Sequence, residues 1–436
     1  MKILLMGNGA REHVIAESLK KNKDALLYSF MKSRNPGIAS LSKEICMGSY
    51  SDLDAIKKFA RKNEIDFAFV GPEEPLSFGV VDSLIEIGVP SIGPTRLMAR
   101  LETSKSFTRE LLKKYKIEGN PKFRAFNQEN FNEIKYFFNE LEGIVIKPDG
   151  LTSGKGVKVQ GDHFDTKDEA LDYCKEVLET HKAVVVEEKL DGEEFSLQCL
   201  TDGKTVIATP PVQDHKRAYE NDEGSNTGGM GSYSCENHLL PFLKKGHIDK
   251  ALGITQKVAD AIYRETGLYY KGVMYGGFIL TKKGIKLLEY NARFGDPEAM
   301  NVLNLLKTDL ASICYAMNVQ KLSTIKVEFE KKATVCKYVV PEGYPDNPIK
   351  NEKIEITKVH KKAKMYYASV EQRGNEIYMT GSRAIAFLGI GNNLDEAENI
   401  AEDSVYCIKG RVFHRKDIGT KALIEKRVNH VKSFSA

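Results

Sequence analysis

Short apolar runs alternate with stretches of helical periodicity through the first hundred residues. Ile3 to Met6, Leu26 to Phe30, Phe67 to Val70 and Val89 to Ile92 have strand length. Between them apolar residues recur at helical spacing through Val14 and Ile15, through Leu53, Ile56 and Phe59, and through Val80, Val81 and Leu84. Strands alternating with helices over short connections predict a parallel sheet covered by helices. The loops after the strands, GNGARE, SRNPG, GPEEPL and GPT, then gather at one edge, where ligands bind in open sheets.

Further on the pattern changes. Leu101 to Tyr115 reads as one linker helix with Lys105 near its start, and residues 121 to 190 as a small α+β lobe. In that lobe Ile144 to Ile146 is a strand running into Lys147, PDGLTSGKG is a loop, and Val157 to Val159 is the next strand. Ala183 to Leu190, AVVVEEKL, is an apolar strand ending in acids and reads as a hinge with a free backbone edge. Lys271 to Leu280 pairs with Lys286 to Glu289 through the turn Lys282 to Gly284. The stretch IKLLEYNARFGDPE, Ile285 to Glu298, predicts a buried strand, a polar turn and a helix start. Asp296 reads as N-cap and Pro297 as first helical residue, with Leu303, Leu306, Leu310, Ile313 and Met317 continuing the helix. From about 327 the chain is strand-rich, with turns at PEGYPDNP and RGNE, a helix over Leu394 to Ile408 and a closing RKDIG near Arg415. Four units follow: 1–101, 102–190, 191–326 and 327–436.

Composition narrows the class. The 436 residues are 42% hydrophobic and 28% charged, enough for two to four domains. Sixty-four basic residues against sixty acidic leave a formal charge of +4, too small to argue for nucleic acid or a membrane surface. MKILLMG reads as a first strand rather than a secretory leader. No apolar segment approaches the roughly twenty residues a membrane helix needs. Seven scattered cysteines without a CxxC pair suggest reduced thiols in a cytoplasmic protein and not zinc.

Candidate chemistry concentrates in a few stretches. On a strand, Glu289, Asn291 and Arg293 share a face, and a carboxylate, an amide oxygen and a guanidinium suit Mg²⁺ with the phosphate oxygens it bridges. The first loop, Gly7, Gly9 and Glu12, lacks the third glycine of a dinucleotide fingerprint, and Ser33, Arg34 and Asn35 stand where a ribose-binding acid belongs. It reads as a sugar-phosphate cradle on a helix start at Arg11, or as a tight turn without a ligand. Glu73, between Pro72 and Pro75, is placed to meet hydroxyls or an amine. The loop from Gly150 to Gly156 nearly spells a P-loop, but a strand follows it, so it reads as a hairpin whose amides at Ser153, Gly154 and Gly156 close over phosphates beside Lys147 and Lys155. Glu187 and Glu188 close the apolar strand, and Glu194 in DGEEFS could take ribose hydroxyls. QDHKR precedes a glycine run, GSNTGGMGSYS, which is either a linker or a substrate loop. No Ser/His/Asp or Cys/His arrangement stands out.

With those stretches in view, the chain resembles the ATP-grasp ligases and, within them, the glycinamide ribonucleotide synthetase family. GNGAREH, VGPEEPL, IKPDGLTSGKGV, EEKLDGEE, QDHKR, NTGGMGSYS, EYNARFGDPE and RKDIG lie in the family's order. Ala10 and Ser382 stand where the family usually has glycine, and Phe278 stands near where many ATP-grasp enzymes carry another metal carboxylate. The resemblance implies an N-terminal parallel α/β domain, a two-lobed ATP-grasp fold and a small strand-rich C-terminal domain. It implies ligation of glycine to 5-phosphoribosylamine through glycyl phosphate, with ATP as substrate and Mg²⁺ or Mn²⁺, by a cytoplasmic monomer or small homo-oligomer. It places Lys105, Lys147, Ser153, Gly154, Lys155, Gly156, Glu187, Lys189, Leu190 and Glu194 on ATP, Glu289 and Asn291 on the metal, and Arg293 and Lys155 in catalysis. Gly9, Arg11, Glu12, Asn35, Glu73, Asp214, Lys216, Gly228, Gly229, Arg293 and Asp296 then face the other substrates. Another ATP-grasp carboxylate–amine ligase or carboxylase, and a nucleotide-binding regulatory protein without catalysis, are the alternatives.

Overall fold

The computed structural model describes residues 1–151 and 156–434. Its first unit is a five-stranded sheet of β1 (Lys2–Met6), β2 (Leu26–Met31), β3 (Ser42–Met47), β4 (Phe67–Val70) and β5 (Ser91–Ile92), in the order β3-β2-β1-β4-β5. All four pairings are parallel, with Lys2 opposite Leu26 and Ile3 opposite Phe67. β1 and β4 are apolar and almost wholly buried, as strands covered on both faces must be. The sequence did not betray β3. SKEICM is a half-exposed edge strand without a hydrophobic run.

The linker is two helices, Arg100–Thr103 and Lys105–Lys114, not one. Ser104 between them is extended, and its hydroxyl accepts from the Phe107 amide at 3.2 Å. A serine that satisfies a helix start ends the helix before it. The small lobe is an antiparallel sheet of β6 (Phe123–Phe126), β7 (Ile144–Pro148), β8 (Lys158–Val159) and β9 (Val184–Glu188), ordered β6-β9-β7-β8. It has a hydrophobic core of its own, around Phe126, Phe138, Ile146 and Val186. β9 lies inside this sheet, paired on both sides, so the backbone edge expected of AVVVEEKL is absent along the strand itself.

The large lobe follows with β10 (Glu193–Thr201), β11 (Val206–Ala208), β12 (Gln213–Asp214), β13 (Arg217–Tyr219), β14 (Glu223–Asn226), β15 (Gly231–Ser234), β16 (Gly272–Thr281) and β17 (Gly284–Asn291). β11-β10-β16-β17 form one antiparallel sheet, and β13-β14 a separate hairpin. The helix Lys245–Thr266 buries Ile254, Val258 and Ile262 in the core this sheet shares with the first domain. After β17 the helix begins at Glu298, not at Pro297, and stops at Leu305. A second helix, Leu310–Asn318, starts on an Asp309 cap whose carboxylate accepts from the Ser312 amide at 2.8 Å. The apolar spacing runs through both because each buries its own stripe.

β18 (Ala333–Pro341) opens the C-terminal strand-rich part of the chain. It pairs with β15 on one side and with Ile385–Gly391 on the other, giving a sheet that starts at β12 and ends at Lys364–Tyr367. The helix Leu394–Val405 packs on it and ends before Ile408, which is in a strand. Among the described residues no helix is long and apolar enough to cross a membrane.

Candidate active site

A cleft of about 1440 Å³ lies where the first domain, both lobes and the C-terminal sheet meet. Its floor is a buried ion network. Arg109, on the helix Lys105–Lys114, donates to both Glu187 carboxylate oxygens at 2.6 and 3.0 Å and to the carbonyls of Leu287 and Leu288 at 2.9 and 2.6 Å. Lys147, from β7, pairs with Glu187 at 2.8 Å and donates to the Leu288 carbonyl at 3.0 Å. Burial outweighs that pairing and lowers the Lys147 pKa. Three charged donors thus converge on the Glu187 carboxylate. It cements linker, small lobe and β17.

One residue beyond Leu288 is Glu289. Burial pushes its pKa up, but Lys216, Lys147, Lys105 and Arg293 together hold it down at about 2. Lys216 lies 3.8 Å from Glu289 and 3.6 Å from Glu194, and its pKa is raised, chiefly by Glu194. Lys105 donates to the Gly150 carbonyl at 2.8 Å, at the root of the small-lobe loop. Asn291 presents its side-chain oxygen two residues along, accepting from Arg293 at 3.1 Å. An ionised carboxylate and an amide oxygen at one strand end are hard donors, and they fit Mg²⁺ or a similar cation that takes one or two protein oxygens and completes its shell with phosphates and water. Among the described residues no group of three or more His, Cys, Asp or Glu is placed to hold a metal ion.

Beyond Asn291 the strand ends, and Arg293 sits in the bend that follows. Its guanidinium reaches Glu102 at 2.9 Å and Glu73 at 3.2 Å. Arg11 approaches the same Glu73 oxygen at 3.6 Å, donates to Glu12 at 2.6 Å and to the Phe294 carbonyl at 3.2 Å. Burial works against charge on Glu73, yet the two guanidiniums hold it down at about 2. Glu102 is pushed up to about 7 by burial, with the Glu73 charge adding to it and Arg293 opposing. Two arginines flanking one carboxylate make a site able to exchange that carboxylate for a substrate anion.

The remaining wall is the glycine run, which is ordered and zipped onto QDHKR. Thr227 donates its amide to the Lys216 carbonyl at 2.7 Å, and Met230 to that of His215 at 2.8 Å. Gly229 has a φ of +106°, and a Cβ there would lie 2.5 Å from the Asp214 carboxylate, so glycine is required at this contact. Arg383, from the C-terminal sheet, donates to the carbonyls of Gly228, Gly229 and Asp296 at 2.6, 3.0 and 2.8 Å. Asp296 caps no helix; it pairs with Arg383 at 3.3 Å and accepts from the Tyr338 hydroxyl. Asp214 faces Glu298, itself held by the Tyr275 hydroxyl at 2.7 Å, and burial together with that neighbour raises the Asp214 pKa well above the usual range.

Several expected residues stand elsewhere. Gly9 donates its amide to Glu12 at 2.7 Å, and Glu12 is buried beneath the first loop, so both shape the loop while Arg11 faces the cleft. Asn35 is fully buried. Its side-chain oxygen caps the helix Pro36–Leu41, and its amide group donates to the carbonyls of Asn8 and Tyr367. Lys189 donates its ammonium to the Gln160 carbonyl at 2.7 Å; Leu190 and Glu194 line the cleft. Gly156 accepts from the Tyr173 hydroxyl at 2.7 Å. Ser153, Gly154 and Lys155 lie outside the described residues. Glu102, Arg109, Glu298, Tyr338 and Arg383 were missed. Only Arg383 carried a trace, one residue past the TGS departure at Ser382. All seven cysteines are unbridged, and none lines the cleft.

Residues 1–102, 103–299 and 334–421 match the family models for the N domain, the ATP-grasp (A) domain and the C domain of phosphoribosylglycinamide synthetase. The chain is 52% identical to the phosphoribosylamine–glycine ligase of Methanocaldococcus jannaschii, over all of both chains. It is 48% identical to that of Methanosarcina acetivorans, covering all of this chain and 98% of the relative. Among solved structures it is similar to phosphoribosylamine–glycine ligase of Thermotoga maritima, with a TM-score of 0.78, 25% identity and coverage of 96% and 100% of the two chains. The biotin carboxylase domain of Hydrogenobacter thermophilus 2-oxoglutarate carboxylase, a complex with MgADP and bicarbonate, shares the fold at a TM-score of 0.73, 14% identity and coverage of 99% and 93%.

Proposed function

The chain belongs to the phosphoribosylglycinamide synthetase family, and from that premise we propose how its cleft performs the family's reaction. The protein is an ATP-dependent ligase that joins glycine to phosphoribosylamine in purine biosynthesis. The observation that carries the active-site reading is the hydrogen bond from Lys147 of the small lobe to the Leu288 carbonyl, one residue from Glu289. It brings Lys147, read as holding phosphate, to the strand that carries Glu289, read as holding the metal.

In this reading Lys105, Lys147 and Lys155 hold the triphosphate, with the amides of Ser153, Gly154 and Gly156 above it. The hinge at Lys189 and Leu190 meets adenine, and Glu194 the ribose. Glu289 and Asn291 would hold Mg²⁺ or Mn²⁺, which when bound neutralises phosphate charge. A glycine carboxylate oxygen attacks the γ-phosphorus, the bond to the bridging oxygen of ADP breaks, and glycyl phosphate forms. The amine of phosphoribosylamine then attacks the acyl carbon; phosphate departs and the nitrogen gives up a proton. No protein nucleophile takes part, so rate comes from positioning and charge. Arg293 steadies the transferring group. Arg11 and Glu73 meet the phosphorylated sugar, with Gly9, Glu12 and Asn35 shaping that loop. Asp214, Lys216, Gly228, Gly229 and Asp296 enclose glycine, its ammonium facing the Asp214–Glu298 pair.

Release of ADP should require glycine and phosphoribosylamine together and yield a product with the mass of glycinamide ribonucleotide. ADP release driven by bicarbonate, or indifferent to glycine, would move the protein to the carboxylases that share its fold.

A further inference from the structure

RKDIG lies outside the cleft chemistry and yet contains the fully buried Arg415. We infer that Arg415 anchors the β13–β14 hairpin as a rigid arm whose Arg217 sets the closed position of the small lobe, which makes Arg217 a positioning residue for the ligation. This rests on the ligase reading of the cleft.

At the root of the arm, Arg415 donates to both Asp417 oxygens at 2.6 and 3.0 Å, to Asp222 in the hairpin turn at 2.8 Å, and to the Arg217 carbonyl at 3.2 Å. Asp417 in turn accepts from the Asn221 amide at 2.9 Å, and Asp222 is also paired with Arg427. Ser225, on the second strand of the arm, donates to Asp346 at 3.0 Å, and Tyr219 stacks on Phe413 with ring centres 5.9 Å apart. Apart from the Arg415–Asp417 pair, which lies within the C-terminal module, each of these contacts joins the hairpin to that module.

From the same anchored hairpin the Arg217 side chain reaches toward the small lobe. The Arg217 guanidinium donates to the Gly224 carbonyl at 2.9 Å and, across the cleft, to Asp162 at 2.5 Å. Asp162 sits in a tight turn after β8, where its amide and that of His163 both bond the Val159 carbonyl. The same turn holds the hinge through the bond from Lys189 to Gln160. Asp162 therefore reports the position of the small lobe, and Arg217 that of the C-terminal module. Both line the rim of the cleft.

Glycyl phosphate needs this rim shut. If the lobe swings out, water attacks the acyl phosphate and returns glycine and phosphate, so ADP forms without product. The Arg217–Asp162 pair is part-exposed, at 25% and 41%, and an exposed pair shifts a two-state equilibrium by no more than about fivefold. Its loss should therefore show in the coupling of ADP to product while the fold stays intact.

The test compares ADP released with glycinamide ribonucleotide formed for the unaltered protein, Arg217→Ala, Asp162→Ala, the double variant, and the exchange Arg217→Asp with Asp162→Arg. Each single change should raise the excess of ADP over product about two- to fivefold, the double should be no worse than either single, and the exchange should recover part of the coupling. Asp222→Asn, which loosens the root, should act in the same direction. Additive single effects, an unaltered ADP-to-product ratio, or an exchange no better than the double would overturn the inference. Glycine-dependent ADP release by the unaltered protein tests the ligase reading separately.

Discussion

Against burial, four cationic side chains, Lys216 first, hold Glu289 ionised down to about 2. We expect Glu289→Gln to keep the melting temperature near that of the unaltered protein and to lower kcat about a hundredfold or more, the scale seen when one electrostatic contact to a reacting group is removed. Unchanged turnover would remove it from the metal site. Glu102 offers a pH test. Its carboxyl is raised from 4.5 to about 7, so the folded state keeps a proton that the unfolded chain has lost. That contribution to stability is full below pH 4.5 and disappears as pH rises through 7. Glu73, depressed to about 2, behaves oppositely: its contribution is full above 4.5 and is lost only as pH falls toward 2. Between pH 5 and 8 Glu73 adds no slope, but His13 and His215, lowered by burial to about 4 and about 3, add one of opposite sign, so the Glu102 slope is read as the difference in denaturant unfolding between the unaltered protein and Glu102→Gln. Glu289 and Asn291 were legible in the sequence because strand periodicity ties them together, whereas Arg293, expected on the same face, lies in the bend after the strand. Glu102 was not legible, since a lone glutamate in RLET acquires meaning only when folding brings Arg293 to within 2.9 Å of it.

Strands and helices with strong periodicity were read nearly as they stand, from β1 and β2 through the β16–β17 hairpin. Breaks inside apolar periodicity were not, at Ser104 and at Asp309, because a polar cap interrupts a helix without disturbing the spacing on either side of it. β9 shows the same limit for sheets. Its residues mark it as a buried strand, while its place between β6 and β7 depends on partners between Phe123 and Phe126 and between Ile144 and Pro148, far from it in the chain. That interior place turns Glu187 from a nucleotide contact into the keystone of three elements, sandwiched between Arg109 and Lys147. Replacing it with alanine leaves two buried cations facing each other, and loss of one partner of a buried ion pair costs about 3 to 5 kcal/mol. Urea unfolding should show a loss on that scale, and KM for ATP should rise as Lys147 is released. A change under about 1 kcal/mol would mean that the network is solvated and not a keystone.

At the scale of the whole molecule, the cores do not follow the four units that sequence suggested. One apolar cluster runs from Ile3 in the first domain through Leu287 to Val335 and Leu388 in the C-terminal sheet. Among the described residues only the small lobe and an outlying patch around Ile354 and Val370 have separate cores. What the sequence hid near 327 is that the C-terminal strand-rich domain shares a sheet with the large lobe, because β15 and β18 pair across a hundred residues, with Gly231 opposite Lys337. A lobe with its own small core, joined to the rest by ion pairs at the cleft floor and rim, should open at lower free energy than the body it closes on. Amides of Val184 to Val186 in β9 should therefore exchange hydrogen faster than those of Met274 to Phe278 in β16. Adding ATP with Mg²⁺ at a hundred times its Kd can protect the lobe by up to about 2.7 kcal/mol, because ligand bridging floor and flap binds only the closed arrangement. The difference between the two strands should then narrow, and further still with glycine present. Equal protection of β9 and β16 without nucleotide would mean that the small lobe is locked to the body before substrate arrives, and that closure plays no part in guarding the acyl phosphate.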